Sequence, residues 1–270
     1  MGINAFASAV VALFFCLAAA PAPAADGTFS LGVGIDYTSG DYGTGTTTKI
    51  TSIPVTGKYE SGPWLLRVTV PYLYVSGGTA VIPGLGAPPN LNPTVRGGAP
   101  GGGGTTTTGS ANGPGDVVAA MTYNLQYDSA TRAGIDLTGK IKFGTADRDK
   151  GLGTGENDHS VQIDAFRGYG MYTFFGGVGY TFYGSSEFIT LNDAFNAVAG
   201  GTYKIGDRDT AGLSLDVGDR VAPDTFPRRE LTAYFTRRLD GNWKAQAYFL
   251  KGLADGSPDW GVGASISHAF

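Results

Sequence analysis

The sequence predicts an all-β fold: a transmembrane antiparallel β-barrel of about 12 strands, with short periplasmic turns and long extracellular loops. Three observations carry that expectation. Segments of roughly ten residues alternate larger apolar residues with small or polar ones along almost the whole chain. The connections between them alternate short and long. The composition is rich in glycine, with 44 residues, and in aromatics, at 12%, while only 16% of residues are charged. Ordinary soluble chains hold about 7% glycine and about 25% charged residues. A mean hydropathy near zero argues against a bundle of membrane helices but not against a barrel, because lipid-facing and lumen-facing residues cancel along each strand.

Residues 1–25 read as a cleaved secretory signal peptide: an apolar stretch from Ala5 to Ala20, then Pro21 to Ala25, then Asp26 as the first charged residue. Cleavage is expected after Ala24 or Ala25. The stretch lacks the Lys or Arg that usually precedes the apolar part, and it holds Cys16, the only cysteine. The remaining chain therefore has neither a disulfide nor a thiolate metal site. No later segment approaches the roughly 20 apolar residues of a spanning helix. Residues 26–270 are expected to form one barrel domain.

The first strand sets Phe29, Leu31, Val33, Ile35 and Tyr37 on one face and Ser30, Gly32, Gly34 and Asp36 on the other, the period-two pattern of a pleated strand. The second, about 48–60, places Ile53, Val55 and Tyr59 opposite Ser52, Thr56 and Lys58, and the third, 64–75, runs from Trp64 through Leu66, Val68, Val70 and Tyr72 to Tyr74. Residues 76–115 are rich in Gly, Pro and Thr without periodicity, and read as a long flexible surface loop, with an interdomain linker as the alternative. A fourth strand, 116–127, carries Val117, Ala119, Met121, Tyr123, Leu125 and Tyr127 outward, and a fifth, 133–145, carries Ile135, Leu137, Ile141 and Phe143. Further strands follow around 160–167, Tyr172 to Phe182, Phe195 to Ile205, Ala211 to Val217, Leu231 to Phe235 and Trp243 to Phe249. In the last, Trp260, Val262, Ala264, Ile266, His268 and Phe270 share a face.

Outward aromatics fall into two interfacial girdles, with Trp64, Trp243, Trp260 and Phe270 as the principal anchors. The terminal aromatic resembles the signal read by the bacterial barrel-assembly machinery. Expected partners are thus outer-membrane lipids, that machinery through the strand ending at Phe270, and a small-molecule solute of unknown identity. Nucleic acid is not expected, since the net charge is -4 and a basic stripe is missing. A soluble β-sandwich is the structural alternative, but its solvent-facing sides would be well supplied with charge. Here the second face is mostly Gly, Ser, Thr and Ala.

The inward register gathers Arg67, Asp136, Lys140, Lys142, Asp164, Lys204, Asp216 and Glu230 as candidate pore-lining residues. Charges of both signs can bind or screen a passing solute, or pair across the lumen and rigidify it. Catalytic chemistry finds little material. His159 is followed by Ser160, but adjacent strand residues face opposite sides, and His268 reads as an interfacial anchor. Asp147, Asp149, Glu156 and Asp158 make an acidic loop with Leu152 where a calcium loop needs glycine. Residues 151–155 lack the Lys-Ser/Thr pair of a phosphate-binding loop. No catalytic residue, metal or cofactor is expected.

The segments Val68-Thr-Val-Pro-Tyr-Leu-Tyr-Val-Ser-Gly77, Gly113-Pro-Gly-Asp116, Lys140-Ile-Lys-Phe-Gly-Thr-Ala-Asp147 and Gly151-Leu-Gly-Thr-Gly-Glu156 resemble a family of outer-membrane transporters named after the meta-pathway of phenol degradation. The resemblance covers roughly 64–270. It departs from the family pattern at Gly144-Thr-Ala-Asp147, where Pro-Thr-Gly-Asp is usual. It implies an outer-membrane location and a channel or passive transporter for small molecules, aromatic or other organic solutes among them. The alternatives are a non-conducting structural or adhesion barrel presenting its loops, and an outer-membrane hydrolase.

Overall fold

The computed structural model describes residues 27–92 and 108–270. Among them, thirteen strands follow one another: β1 (Thr28–Gly40), β2 (Thr48–Ser61), β3 (Trp64–Gly78), β4 (Thr108–Pro114), β5 (Val117–Asp128), β6 (Ala133–Phe143), β7 (Asp158–Tyr169), β8 (Tyr172–Phe182), β9 (Ala194–Ile205), β10 (Asp209–Gly218), β11 (Arg228–Arg238), β12 (Trp243–Gly252) and β13 (Trp260–Ala269). Each pairs antiparallel with its neighbours, β13 pairs with β1, and the sheet closes on itself. β4 and β5 together make one stave, because β4 pairs with the upper part of β3 (Tyr72–Gly78) and β5 with the lower part (Trp64–Thr69). The wall is therefore a closed 12-strand barrel. Full closure leaves no sheet edge along the wall, the condition for a β-structure to cross lipid.

The outward face identifies the solvent. Phe29, Leu31, Val33 and Ile35 on β1, Leu66, Val68 and Val70 on β3, and Val161 and Ile163 on β7 are each 43–54% exposed, and every other stave of the wall repeats the pattern. A soluble monomer shows apolar patches of a few hundred Å² at most. A continuous apolar belt around a barrel is stable only in lipid.

Connections at one rim are short: 62–63, 129–132, 170–171, 206–208 and 239–242. Gly62 and Gly170 open the two-residue turns with φ of 54° and 58°, left-handed backbone that glycine adopts without penalty. At the other rim the connections 41–47, 79–107, 144–157, 183–193, 219–227 and 253–259 are longer.

Two expectations need correction. The stretch 76–115 is not a flexible surface loop in its described parts. β3 runs on to Gly78, 108–114 extends the wall as β4, and Val81 and Ile82 are fully buried inside the long-loop mouth; residues 93–107 lie outside the described part. The signal missed was the short apolar Ala80-Val-Ile-Pro83 within a Gly/Pro-rich segment. Tyr127 does not face lipid either. A bulge between Asn124 and Gln126 makes Gln126 the partner of outward Ile135 and Tyr127 the partner of inward Gly134. One extra residue flips every later side chain to the other face, so Tyr127 turns into the lumen beside Phe166, ring centroids 6.3 Å apart. The expected signal peptide, 1–25, lies outside the described residues.

Candidate functional site

The lumen is the enclosed polar surface of this fold, and it divides into two levels. At the long-loop end it is filled. Val81 packs with Tyr42, Ile50, Leu73, Val75, Ala146, Leu152 and Leu250; Ile82 packs with Ile189, Leu191 and Val221 from two other loops and with Ala194 at the start of β9. Backbone bonds stitch these loops together: Leu91 N donates to Phe188 O (2.9 Å) and Asn192 N to Val221 O (2.7 Å). The described loop segments thus form an apolar plug across the mouth.

Beneath the plug lies a layer of matched charges. Lys142 is buried and bonds Asp116 at 3.1 Å, Asp158 at 3.0 Å and Thr154 Oγ1 at 3.2 Å. Asp116 also accepts Ala146 N (2.8 Å) and Asp158 accepts Gly184 N (3.1 Å). The cluster thereby ties the bases of 144–157 and 183–193 to the wall. Arg228 bonds both Asp216 and Glu230, the latter at 3.3 Å. Lys140, half-buried on β6, has Arg228, Asp216 and Asp158 as its electrostatic neighbours, which places it in the same layer. Deeper in the barrel, Asp36 accepts the Tyr248 hydroxyl at 2.7 Å, Asp136 accepts Asn124 Nδ2 at 2.6 Å, and Asp164 accepts Gln162 Nε2 at 2.7 Å.

Aromatic rings lie flat on the inner wall where a neighbouring strand offers glycine. A Cβ on Gly212 would run into Tyr234, one on Gly263 into Tyr248 and one on Gly200 into Phe175. The rings are thereby held against the inner wall.

Toward the short turns the lumen opens. Ser265 on the inner face of β13, Glu60 and Arg238 are exposed, and Lys58, Arg67 and Lys244 are half-buried. Lys204 belongs to this rim, exposed and 3.7 Å from Asp207, so it stands at the opening rather than inside the pore. Of the eight candidate lining residues, Lys140, Lys142, Asp216 and Glu230 gather below the plug, Asp136 and Asp164 are cross-strand partners lower down, and Arg67 stands on a different stretch of wall. The candidate list omitted Asp36, Lys58, Arg228, Arg238, Lys244, Tyr234 and Tyr248. Each has the same inward parity as the residues it included, so the alternation was the available signal.

On the outside, Trp64 packs on Tyr123 (centroids 4.5 Å), Trp243 on His268 (4.7 Å) and Trp260 on Tyr37 (5.3 Å). Phe270 stacks on Phe29 at 5.9 Å, and its N–H donates to Phe29 O at 2.8 Å. His159 faces outward while Ser160 is buried against Thr181 at 3.0 Å, so the two are on opposite sides of the wall. In the acidic loop, Asp147 binds the N–H groups of Asp149 and Lys150, Asp149 accepts Asn92 Nδ2, and Asp158 belongs to Lys142; these carboxylates are spoken for separately.

No protein-family model matches the chain, and no curated protein matches it. Solved structures do. An outer-membrane channel from Pseudomonas putida F1 is similar at 13% identity and a TM-score of 0.68, covering 91% of this chain and 96% of that one. The KdgM porin is similar at 9% identity and 0.53, covering 88% and 99%. The β domain of the Bordetella autotransporter BrkA follows at 12% and 0.50, covering 92% and 100%. Likeness at such identities establishes a shared fold, the transmembrane β-barrel of outer-membrane proteins.

Proposed function

We propose that this barrel is a channel or passive transporter for small molecules across the bacterial outer membrane, its short turns in the periplasm and its plugged mouth outside. The observation that carries the reading is the lumen: polar, with exposed side chains at the short-turn end, aromatic rings folded onto the wall, and loops packed across the other end. Eight strands enclose only enough space for side chains, and larger barrels enclose cavities or channels. The likeness to an outer-membrane channel and a porin supports this, and so does the resemblance to the transporter family, which favours aromatic or other small organic solutes as cargo. In the same proposal, residues 1–25 direct export, and the assembly machinery reads Phe270, whose side chain remains 71% exposed after the strand is sealed to β1.

Planar-bilayer recording tests the reading. The native protein is expected to conduct in brief openings, and Val81→Asp/Ile82→Asp, which puts two charges into the plug, to stay open much longer. Neither protein conducting, with no solute uptake in liposome swelling, would refute it. An adhesion barrel has less to present, since 79–82 and 108–114 are plug and wall. Deleting 93–107 separates the two readings, because a pore still conducts.

A further inference from the structure

The outward face changes character at the long-loop rim, and it does so on one side of the barrel. Lys49 on β2, Lys251 on β12 and Arg229 on β11 are exposed and share the outward parity of Ile53, Phe249 and Phe235 on the same strands. The register sets them side by side. Lys251 is the direct partner of Trp260, Trp260 of Ser39, and Ser39 of Lys49. Arg229 stands two residues nearer the rim than Leu231, the partner of Lys251. The Cα atoms of Lys49 and Lys251 are three strand spacings apart, about 14 Å, with the small Ser39 and the Trp260 ring between them. Just beneath, Tyr37 packs on Trp260 with ring centroids 5.3 Å apart.

Across the barrel the same rim is aromatic: Phe143, Phe182 and Phe195 are exposed there, with His159 the partner of Phe182. Among the described residues, the ion pairs of the protein include none of the three rim cations. Neighbouring carboxylates serve the backbone instead: Asp41 accepts Gly43 N at 2.9 Å and Asp219 accepts Phe195 N at 3.4 Å.

A cation near the interface costs the wall little, but tolerance alone does not gather three on one arc. A convex wall gives no enclosure to a free anion. A lipid headgroup needs none, because its acyl chains hold it at this height against the apolar belt. Lysine point charges and an arginine fork suit phosphate, and an amphipathic indole ring between them suits the apolar face of a sugar.

We propose that Lys49, Lys251 and Arg229, with Trp260 between the two lysines, form a binding site for a phosphorylated glycolipid headgroup of the outer leaflet. The site rests on the orientation proposed above, with the long loops outside, and not on conduction.

Native mass spectrometry of the detergent-refolded protein tests the binding with three probes: the bis-phosphorylated glycolipid lipid A, its dephosphorylated form, and phosphatidylglycerol. Lipid A is expected to be retained, the dephosphorylated form lost, and phosphatidylglycerol held more weakly. Lys49→Gln/Lys251→Gln should weaken lipid A about thirtyfold, the loss of two basic residues at an anionic surface. Arg167→Gln/Arg208→Gln, which removes two exposed cations at the short-turn rim, should leave it unchanged. All four side chains are exposed, and the heat-dependent gel shift of an intact barrel checks folding. No retention of lipid A, equal retention with and without phosphate, retention of phosphatidylglycerol as strong as lipid A, native retention in Lys49→Gln/Lys251→Gln, or an equal loss in the short-turn variant overturns the site. Labelling of Lys150→Cys in whole cells by an impermeant maleimide reports the orientation separately. Selective lipid A binding without labelling upholds the phosphoglycolipid site and overturns its placement in the outer leaflet.

Discussion

Lys142 is the side chain on which the plug's attachment turns. Replacing it with Met keeps the length and removes the charge, leaving Asp116 and Asp158, whose side chains are 3% and 5% exposed, without their cation. Breaking a buried ion pair by removing one partner costs about 3–5 kcal/mol, because the remaining charge stays desolvated. Each carboxylate keeps one backbone N–H, from Ala146 and Gly184, so the low end, about 3 kcal/mol, is expected. That corresponds to roughly a hundredfold in the closed-to-open ratio of the loops. Local opening exposes 144–157 to protease in proportion to its population, and Arg148 and Lys150 lie within it. Tryptic cleavage there should accelerate about a hundredfold while the gel shift of the intact wall persists, since no ladder hydrogen bond is touched. The triple variant Asp116→Asn/Lys142→Met/Asp158→Asn strands no charge and should recover most of the loss. A triple variant as labile as the single one, or native cleavage rates in folded Lys142→Met, would refute the argument.

Tyr248→Phe removes the hydroxyl that donates to Asp36 and should cost about 1–3 kcal/mol, the penalty of leaving a buried acceptor unsatisfied; an unmoved urea midpoint in lipid vesicles would show that Asp36 finds another donor. Gly212→Leu drives a side chain into the Tyr234 ring, with a penalty of about 1–3 kcal/mol for overpacking and reduced conductance as the ring swings into the lumen. Gly139→Val, on the lipid face with nothing within 4 Å, should leave both unchanged. At the short-turn rim, Asn242 and Trp243 donate their N–H groups to Asp240 at 2.8 and 2.7 Å and hold its carboxyl below the usual carboxylate range. A lowered folded value means stability that is present at neutral pH and lost as pH falls through it. Asp240→Ala should therefore lower the unfolding midpoint at pH 7 and lose that effect under acid conditions; an equal deficit at both would refute the turn's charge dependence.

The wall was legible because lipid penalises errors residue by residue. A charge in mid-wall costs about 2–4 kcal/mol, so Leu31, Val33 and Ile35 announce their face without reference to any partner. Tyr127 shows the limit of that rule. Alternation counts residues and assumes an unbroken ladder, and nothing in Tyr123-Asn-Leu-Gln-Tyr127 marks Leu125 as the residue that the ladder skips. The plug was illegible for a different reason. Val81 and Ile82 are too few to show a period, and their burial depends on Leu152, Ile189, Leu191 and Val221 arriving from loops far apart in sequence.

Lumen charges are harder again, because parity assigns a face but not a height. Strands in a barrel are tilted and staggered, so two inward residues meet only if the stagger brings them level. Lys140 and Lys142 are neighbours in sequence, yet Lys142 anchors the loops through Asp116 and Asp158, while Lys140 answers to Asp216 and Arg228 on the opposite wall. Arg67 read alone was one more lining residue; only the register sets Lys58 beside it and places Lys244 across two strands of small residues.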